Sequence, residues 1–261
     1  MTDDSTLQVS QADGVLTIAF ARPKANAFTT SMVDEIRAAL KKGGADASVR
    51  CIVLTGAGRF FSAGQDLGEI GDRVGELSFR EHLLRTYNRL ILQMRTLEKP
   101  IIGAINGPAA GAGLGVALAT DIKLAGQSAR FIFGFTGIGL TADSAVSLML
   151  PRLIGPARAA YVAFTNQPVT ASQALEWGMV NEICPDDLLM QRAGEWAASL
   201  AEAPTRAIGL TKRAFNRTMF HDLESTLDYE AHLQDIAGRT EDHAEGVAAF
   251  LEKRAPVFTG R

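Results

Sequence analysis

Asp143 sits in the stretch 135–144, FTGIGLTADS, with Ile138, Leu140, Ala142 and Ala145 as its apolar surroundings in the chain. A carboxylate buried among such residues has its charged form disfavoured and its proton affinity raised, which suits a general base. The same residue type is also a favoured helix N-cap, here for a helix over 144–150. Two glycine-bearing stretches offer complementary chemistry. In GAGRFFSAGQDLGEI (56–70), Gly64 precedes Gln65 and lets the backbone bend so that an amide N–H can point into a cavity, although a plain tight turn has the same composition. Between Lys99 and Asp121 no residue is charged, and five are glycine and six alanine.

That second stretch admits three readings. Its length could cross a bilayer, but Asn106 and Pro108 interrupt it, and Gly and Ala offer little apolar surface for insertion. Gly111, Gly113 and Gly115 suggest a dinucleotide fingerprint, but Val116 stands where GxGxxG needs its third glycine. The third reading is a buried strand over 100–105, a glycine turn, and a small-residue helix from about Gly111. The free N–H groups of such a helix start would face an anion.

The elements that must hold these stretches follow from periodicity. Leu16, Ile18 and Phe20 alternate as in a half-buried strand, with 8–13 as its hairpin partner. Pro23 makes 22–27 a loop that carries Arg22 and Lys24, readable as a solvated turn. Thr30 or Ser31 caps a helix with Met32, Val33, Ile36 and Leu40 on one face. CIVLT (51–55) is a strand buried on both faces. Ser78 begins a long helix, with Phe79, Leu83, Tyr87, Leu90, Ile91, Met94 and Leu97 on one side, ending before Pro100. Strands follow at 121–124, 130–133 and 179–184, with helices at 157–165 and 171–177, the latter stopped by Gly178. Beyond 187 every segment is helical: 187–200, 204–219, 222–236 and 241–253. These features predict a layered α/β core over 1–186 and a helical region over 187–261 whose helices cover each other or another subunit.

Composition narrows the function classes. The 261 residues are 47% apolar and 21% charged, an ordinary globular balance. A net charge of −3 gives no field for nucleic acid or anionic membrane. Cys51 and Cys184 lie far apart, and the first ten residues lack a basic and apolar leader, so a reducing, cytoplasmic location is expected. His82, His221, His232 and His243 show no metal-ligand spacing and read as surface residues.

In their order and spacing, RPKAN (22–26), LTGAGRFFSAGQDL (54–67), KPIIGAINGPAAGAG (99–113), Trp177-Gly178-Met179-Val180 and EGVAAFLEKRAPVF (245–258) resemble the crotonase family, the enoyl-CoA hydratases and isomerases, along nearly the whole chain. The resemblance implies a spiral of ββα repeats, C-terminal helices used for trimer or dimer-of-trimers assembly, an acyl-CoA substrate and no cofactor besides its coenzyme A. It implies that the backbone amides of Gln65 and Ala112 form an oxyanion hole for the thioester. Lys24 and Lys253 would hold the coenzyme phosphates, Lys253 reaching in from a neighbouring subunit, with Phe250 beside the nucleotide. Ala25, Ala63, Asp66 and Leu67 would line the coenzyme path.

Hydratases of this family use two glutamates, and the matching positions here are Gly115 and Phe135, which move no proton. Asp143 falls where the enoyl-CoA delta isomerases and ring-epoxide isomerases carry their acid, and the run 236–260 is similar to the latter. The expected activity is therefore acyl-CoA isomerisation with Asp143 as acid and base, with hydration as the alternative. GIGLTADSAVSL (137–148) also resembles the aryl-CoA dehalogenases, whose matching aspartate is a nucleophile. Arg80-Glu81-His82 resembles the stretch holding their histidine, but Phe135 replaces their tryptophan. A binding protein that lost its chemistry is the last alternative, and the acidic net charge argues against RNA as its ligand.

Overall fold

Strand β1 (Leu7–Ala12) pairs antiparallel with β2 (Val15–Phe20) through Asp13 and Gly14, whose φ values of 48° and 78° are the two left-handed conformations that a tight hairpin requires. The computed structural model describes residues 6–23, 25–71 and 78–261. Alternation in β2 buries Leu16, Ile18 and Phe20. The continuous apolar run forms β3 (Cys51–Gly56), buried on both faces and parallel to β2.

Helix α1 (Thr30–Ala45) joins β2 to β3, and α2 (Leu67–Gly71), α3 (Phe79–Arg85) and α4 (Tyr87–Thr96) lead to β4 (Ile101–Ile105). After β5 (Ala109–Ala110) and α5 (Ala112–Ala119) come β6 (Ile122–Gly126) and β7 (Arg130–Ile132). A 3₁₀ turn (Thr136–Ile138) precedes α6 (Val146–Ile154), α7 (Pro156–Thr165), β8 (Val169–Thr170), α8 (Ala171–Glu176) and β9 (Glu182–Cys184). The larger sheet runs β1-β2-β3-β4-β6-β9, parallel except at its first pair, and the smaller runs β5-β7-β8. Parallel bridges Phe28 to Gln65 and Ser62 to Ala109 extend the smaller ladder. Successive crossovers thus place one strand in the large sheet and one short contact in the small one, the ββα spiral. The stretch from Lys99 to Asp121 is the strand, glycine turn and helix of the third reading. No helix among the described residues is long and apolar enough to cross a membrane.

Two helix starts differ from expectation. The cap of α1 is Thr29, whose Oγ1 accepts from Met32 N at 3.2 Å. The long helix expected over 78–97 breaks at Thr86, where φ −110° and ψ −93° leave the helical region and Oγ1 donates to His82 O at 2.6 Å. Side-chain bonding to the backbone one turn back competes with the helix ladder.

The helices beyond residue 187 are α9 (Leu189–Glu202), α10 (Thr205–Met219), α11 (Leu223–Ala237) and α12 (Glu241–Glu252). Leu189, Ala193 and Ala197 of α9 pack on Cys51, Val53, Ile102, Ala104 and Leu124, closing one face of the large sheet. Buried Lys212 fastens α10 by donating to Met94 O at 2.8 Å and pairing with Asp121 at 2.7 Å, while Arg95 takes the other Asp121 oxygen at 2.9 Å. Helix α11 packs on α3, α4 and α6, and α12 packs on the 3₁₀ turn. Leu223, Leu227, Glu230, Ala231 and Gln234 form the buried face of α11.

Candidate active site

The glycine turn after β3 lies directly on the start of α5. A Cβ at Gly64, where φ is +84°, would stand 2.6 Å from Ala110 O and 3.3 Å from Ala112 N, so this approach requires glycine. Phe28 N donates to Gly64 O at 2.7 Å and Asp66 N to Phe28 O at 2.8 Å. Strand alternation then turns the intervening Gln65 N–H away from Phe28. Gly111, at φ 53° and ψ −125°, spends its own N–H on Ile132 O at 3.2 Å. Ala112 follows as the first residue of α5, whose N–H has no intrahelical acceptor. Among the described residues neither Gln65 N nor Ala112 N donates to a protein acceptor.

The Gln65 side chain is held at three points. Its Oε1 accepts from Tyr87 O–H at 2.7 Å and lies 3.1 Å from His82 Nε2, and its Nε2 donates to Glu69 Oε2 at 3.0 Å. Burial, with the negative charges of Asp143, Glu69 and Asp66, drives the Tyr87 phenol well above its ordinary value, so its hydroxyl stays a donor.

Asp143 is 7% exposed. Ser144 Oγ donates to its Oδ1 at 2.7 Å and Gln234 Nε2 to its Oδ2 at 2.8 Å. Burial pushes its pKa up to about 6 against the pull of those two hydrogen bonds. The N-cap alternative is corrected: α6 starts only at Val146, after Ser144 and Ala145 at φ 56° and 61°, and the Asp143 carboxylate caps nothing. The N–H groups of Ala145 and Ser147 go instead to Glu230 of α11, at 2.8 and 3.0 Å.

Gly115 lies about one helical turn along α5 from Ala112. A Cβ there would stand 2.4 Å from Ser144 Cβ and 2.8 Å from Ser144 O, which ties the Asp143 loop to the helix whose start carries the free amide. Phe135, 5% exposed, puts its ring edge 3.9 Å from where a Gly111 Cβ would be.

Of the residues expected to line the coenzyme path, Ala63 N donates to Ala25 O at 3.0 Å, Asp66 pairs with Arg22 at 2.6 Å, and Leu67 opens α2, so all gather around Gln65. Lys24 lies outside the described residues. Phe250, 61% exposed, and exposed Lys253 stand at the end of α12, and among the described residues neither bonds to the Gln65–Asp143 cluster. The structure therefore joins Gln65, Ala112 and Asp143 with Ala25, Ala63, Asp66 and Leu67, and leaves Phe250 and Lys253 apart.

The histidines correct a second expectation. His243 is 1% exposed, donates from Nδ1 to Ile138 O at 2.8 Å and meets the Phe79 ring edge-on, and its burial lowers its proton affinity. His82 is half-buried beside Gln65. Sequence reading also missed Tyr87, Glu230 and Gln234. A signal existed for the last two, which share the apolar face of α11 with Leu223, Leu227 and Ala231, where solvated side chains do not belong. Among the described residues no group of three or more His, Cys, Asp or Glu side chains is placed to hold a metal ion.

Residues 10–261 match the family described as enoyl-CoA hydratase/isomerase. The chain is 41% identical over 251 residues to the 1,2-epoxyphenylacetyl-CoA isomerase of Escherichia coli (strain K12), covering 95% of this chain and 96% of that one. It is 38% identical to a 4-chlorobenzoyl coenzyme A dehalogenase-2 of Arthrobacter sp, covering 96% and 92%. A crystal structure of an enoyl-CoA hydratase from Mycobacterium avium subsp. paratuberculosis K-10 superposes with a TM-score of 0.88 at 32% identity, covering 97% and 98%.

Proposed function

The chain belongs to the enoyl-CoA hydratase/isomerase family, and from that premise we propose that it isomerises an unsaturated or ring-strained acyl-CoA through a thioester enolate. Asp143 takes a proton from the carbon next to the thioester. The released electron pair moves into the carbonyl, and the N–H groups of Gln65 and Ala112 hold the oxygen as it becomes negative. Removing one such donor typically costs about 2.7–4 kcal/mol of barrier. Protonated Asp143 then returns the proton elsewhere along the conjugated system, so one carboxyl group serves as both base and acid. Electrons stay within the substrate throughout, and the cycle needs no cofactor.

The observation that carries this reading is one buried, proton-avid carboxylate in the same cluster as two unspent amides, with no second acid free to work among the described residues: Glu69 accepts from Thr30 N and Gln65 Nε2, and Asp66 pairs with Arg22. Gly115 is packed against Ser144 and leaves no room for a glutamate. Glu230, the other buried acid nearby, is committed to the N–H groups of Ala145 and Ser147. Hydration needs one group to activate water and another to protonate carbon, and among the described residues this site offers one.

The deciding experiment incubates a panel of acyl-CoA thioesters with the enzyme in deuterated water. Exchange at the carbon next to the thioester, lost in D143N while coenzyme A binding persists, supports the reading. Full activity in D143N sinks it, and fast loss of enone absorbance from crotonyl-CoA would favour hydration instead.

A dehalogenase-like reading draws support from His82, which the structure places beside Gln65. Both Asp143 oxygens accept hydrogen bonds, however, which blunts a nucleophile. Labelled oxygen from water appearing in Asp143 after single turnover would favour that chemistry.

We also place assembly as a homotrimer or dimer of trimers, and a cytoplasmic location, within this reading. Phe164 on α7, Phe215 on α10 and Ile236 on α11 are 82%, 56% and 55% exposed, an apolar excess that suits burial against sister subunits. Light scattering on the purified protein reads the mass directly.

A further inference from the structure

His82 and Tyr87 lie five residues apart, and in an unbroken α-helix they would point about 140° away from each other around the axis. Both nevertheless reach one atom. Tyr87 O–H donates to Gln65 Oε1 at 2.7 Å, His82 Nε2 lies 3.1 Å from the same oxygen, and the two rings meet edge to face at 6.0 Å. The break at Thr86 makes this possible: its backbone leaves the helical region at φ −110° and ψ −93°, and α4 starts afresh at Tyr87.

The other end of the same amide fixes its orientation. Gln65 Nε2 donates to Glu69 Oε2 at 3.0 Å, and Glu69 Oε2 also accepts from Thr30 N, the first residue of α1, at 3.1 Å. A carboxylate accepts and does not donate, so the amide nitrogen belongs on the Glu69 side, and both Tyr87 O–H and His82 Nε2 act as donors to the oxygen. The Gln65 side chain is thereby tied to α1 through Glu69, to α3 and to α4. Packing alone does not require the Tyr87 hydroxyl, because a phenylalanine would fill the same space against the Phe28 ring, whose centroid is 6.3 Å away.

What the ties restrain is the backbone of Gln65. Gly64, just before it, has no side chain and sits at φ +84°, so sterics restrict little on that side of the shared peptide. Two bonds to the Phe28 backbone set the line of the chain, and the side-chain bonds hold Gln65 through its Cβ. A donor aimed before charge forms needs no reorganisation when it does. We propose that Tyr87 and His82 are positioning residues: by gripping Gln65 Oε1 across the break at Thr86, they fix the residue whose N–H holds the thioester oxygen. The inference rests on the reading of Gln65 N–H as an oxyanion donor.

The test is a double-mutant cycle on deuterium exchange at the carbon next to the thioester, using the acyl-CoA that the wild-type protein exchanges fastest. Y87F and H82L each remove one donor, and Q65M removes every side-chain bond of Gln65 while keeping its backbone N–H. Each of Y87F and H82L is expected to lower the saturated exchange rate about fivefold, the scale of one neutral hydrogen bond, with coenzyme A affinity by calorimetry within about twofold of wild type. In the Q65M background the same changes cost less than about twofold, because the grip is already gone. A wild-type rate in either single variant overturns the proposal, and so does an undiminished loss in Q65M, since the residue would then act without Gln65. Should Y87F fail to fold, H82L at its half-buried site carries the cycle alone. Should no thioester exchange with the wild-type protein, the enolate reading falls by itself, and the grip is decided on the free protein by nitrogen-15 relaxation. The order parameter of the residue 65 amide then drops from about 0.85 toward about 0.6 in the Y87F/H82L double variant, and an unchanged value overturns the proposal.

Discussion

Gln234 Nε2 donates to Asp143 Oδ2 at 2.8 Å across 91 residues of sequence. The bond joins the last quarter of the chain to the loop that carries the acid, so α11 is part of the site as well as a surface helix. Held this way, one Asp143 oxygen faces Gln234 and the other Ser144, and the carboxyl group cannot rotate without breaking one of the two bonds. In the proposed role of Asp143 as base, a fixed orientation lowers the entropy lost on reaching the substrate proton.

The rate should follow the ionisation of Asp143. With burial placing its pKa at about 6, kcat/KM is expected to fall tenfold per pH unit below that value in the free enzyme. D143N should lose about 10²–10⁴-fold in kcat and lose the acid limb with it. A pH–rate profile from 4.5 to 8.5 measures both, and a wild-type rate independent of pH down to 4.5 contradicts the assignment.

Stability carries the same signature with a definite sign. Asp143 binds its proton more tightly in the folded state, at about 6 against an ordinary value of 3.8. The native form thus holds more protons between these values, and its stability declines as pH rises through them. A shift of this size corresponds to on the order of 3 kcal/mol. D143N lacks this loss, so its stability relative to wild type improves from pH 4 to pH 7. Urea unfolding of both proteins at several pH values measures the difference, and parallel curves would show that Asp143 is not buried as described.

Several parts of this arrangement were legible in the chain and others were not, for physical reasons. The hairpin at Asp13-Gly14, the doubly buried run of β3 and the helix from Ala112 follow from periodicity and glycine placement, which are local properties. The break at Thr86 depends on a hydroxyl turning back to His82 O, a choice that apolar spacing does not record. Asp143 reads as a cap because its neighbours look like a helix start. Only the tertiary approach of Glu230 reassigns those N–H groups. Glu230 and Gln234 stand in an apolar stripe, so their burial was readable from spacing, while their partners were not.

Gly64 is expected to tolerate no side chain. At φ +84°, with a Cβ only 2.6 Å from Ala110 O and 3.3 Å from Ala112 N, G64A must push the turn away from the start of α5. Both proposed oxyanion amides then lose their alignment. The expected loss in kcat is about 10²–10³-fold, the size seen when one such donor is removed, with a smaller change in coenzyme A affinity. Kinetics with direct binding by calorimetry separates the two, and an unchanged kcat would remove Gln65 and Ala112 from the mechanism.

Restoring the missing glutamate should not create a hydratase. Gly115 is fully buried in α5, and any Cβ there meets Ser144 Cβ at 2.4 Å and Ser144 O at 2.8 Å. Ser144 cannot step back, because it is buried, sits in a left-handed conformation and donates to Asp143. Overpacking of this kind costs about 1–3 kcal/mol, and each kcal/mol lowers Tm by roughly 2–4 °C in a chain of this size. G115E is therefore expected to melt several degrees lower, to lose the proposed isomerase activity as the Asp143 loop shifts, and to leave crotonyl-CoA absorbance at its background rate. A G115E protein with wild-type Tm and rapid hydration would mean that the loop yields freely, and that the choice between isomerisation and hydration lies elsewhere in the site.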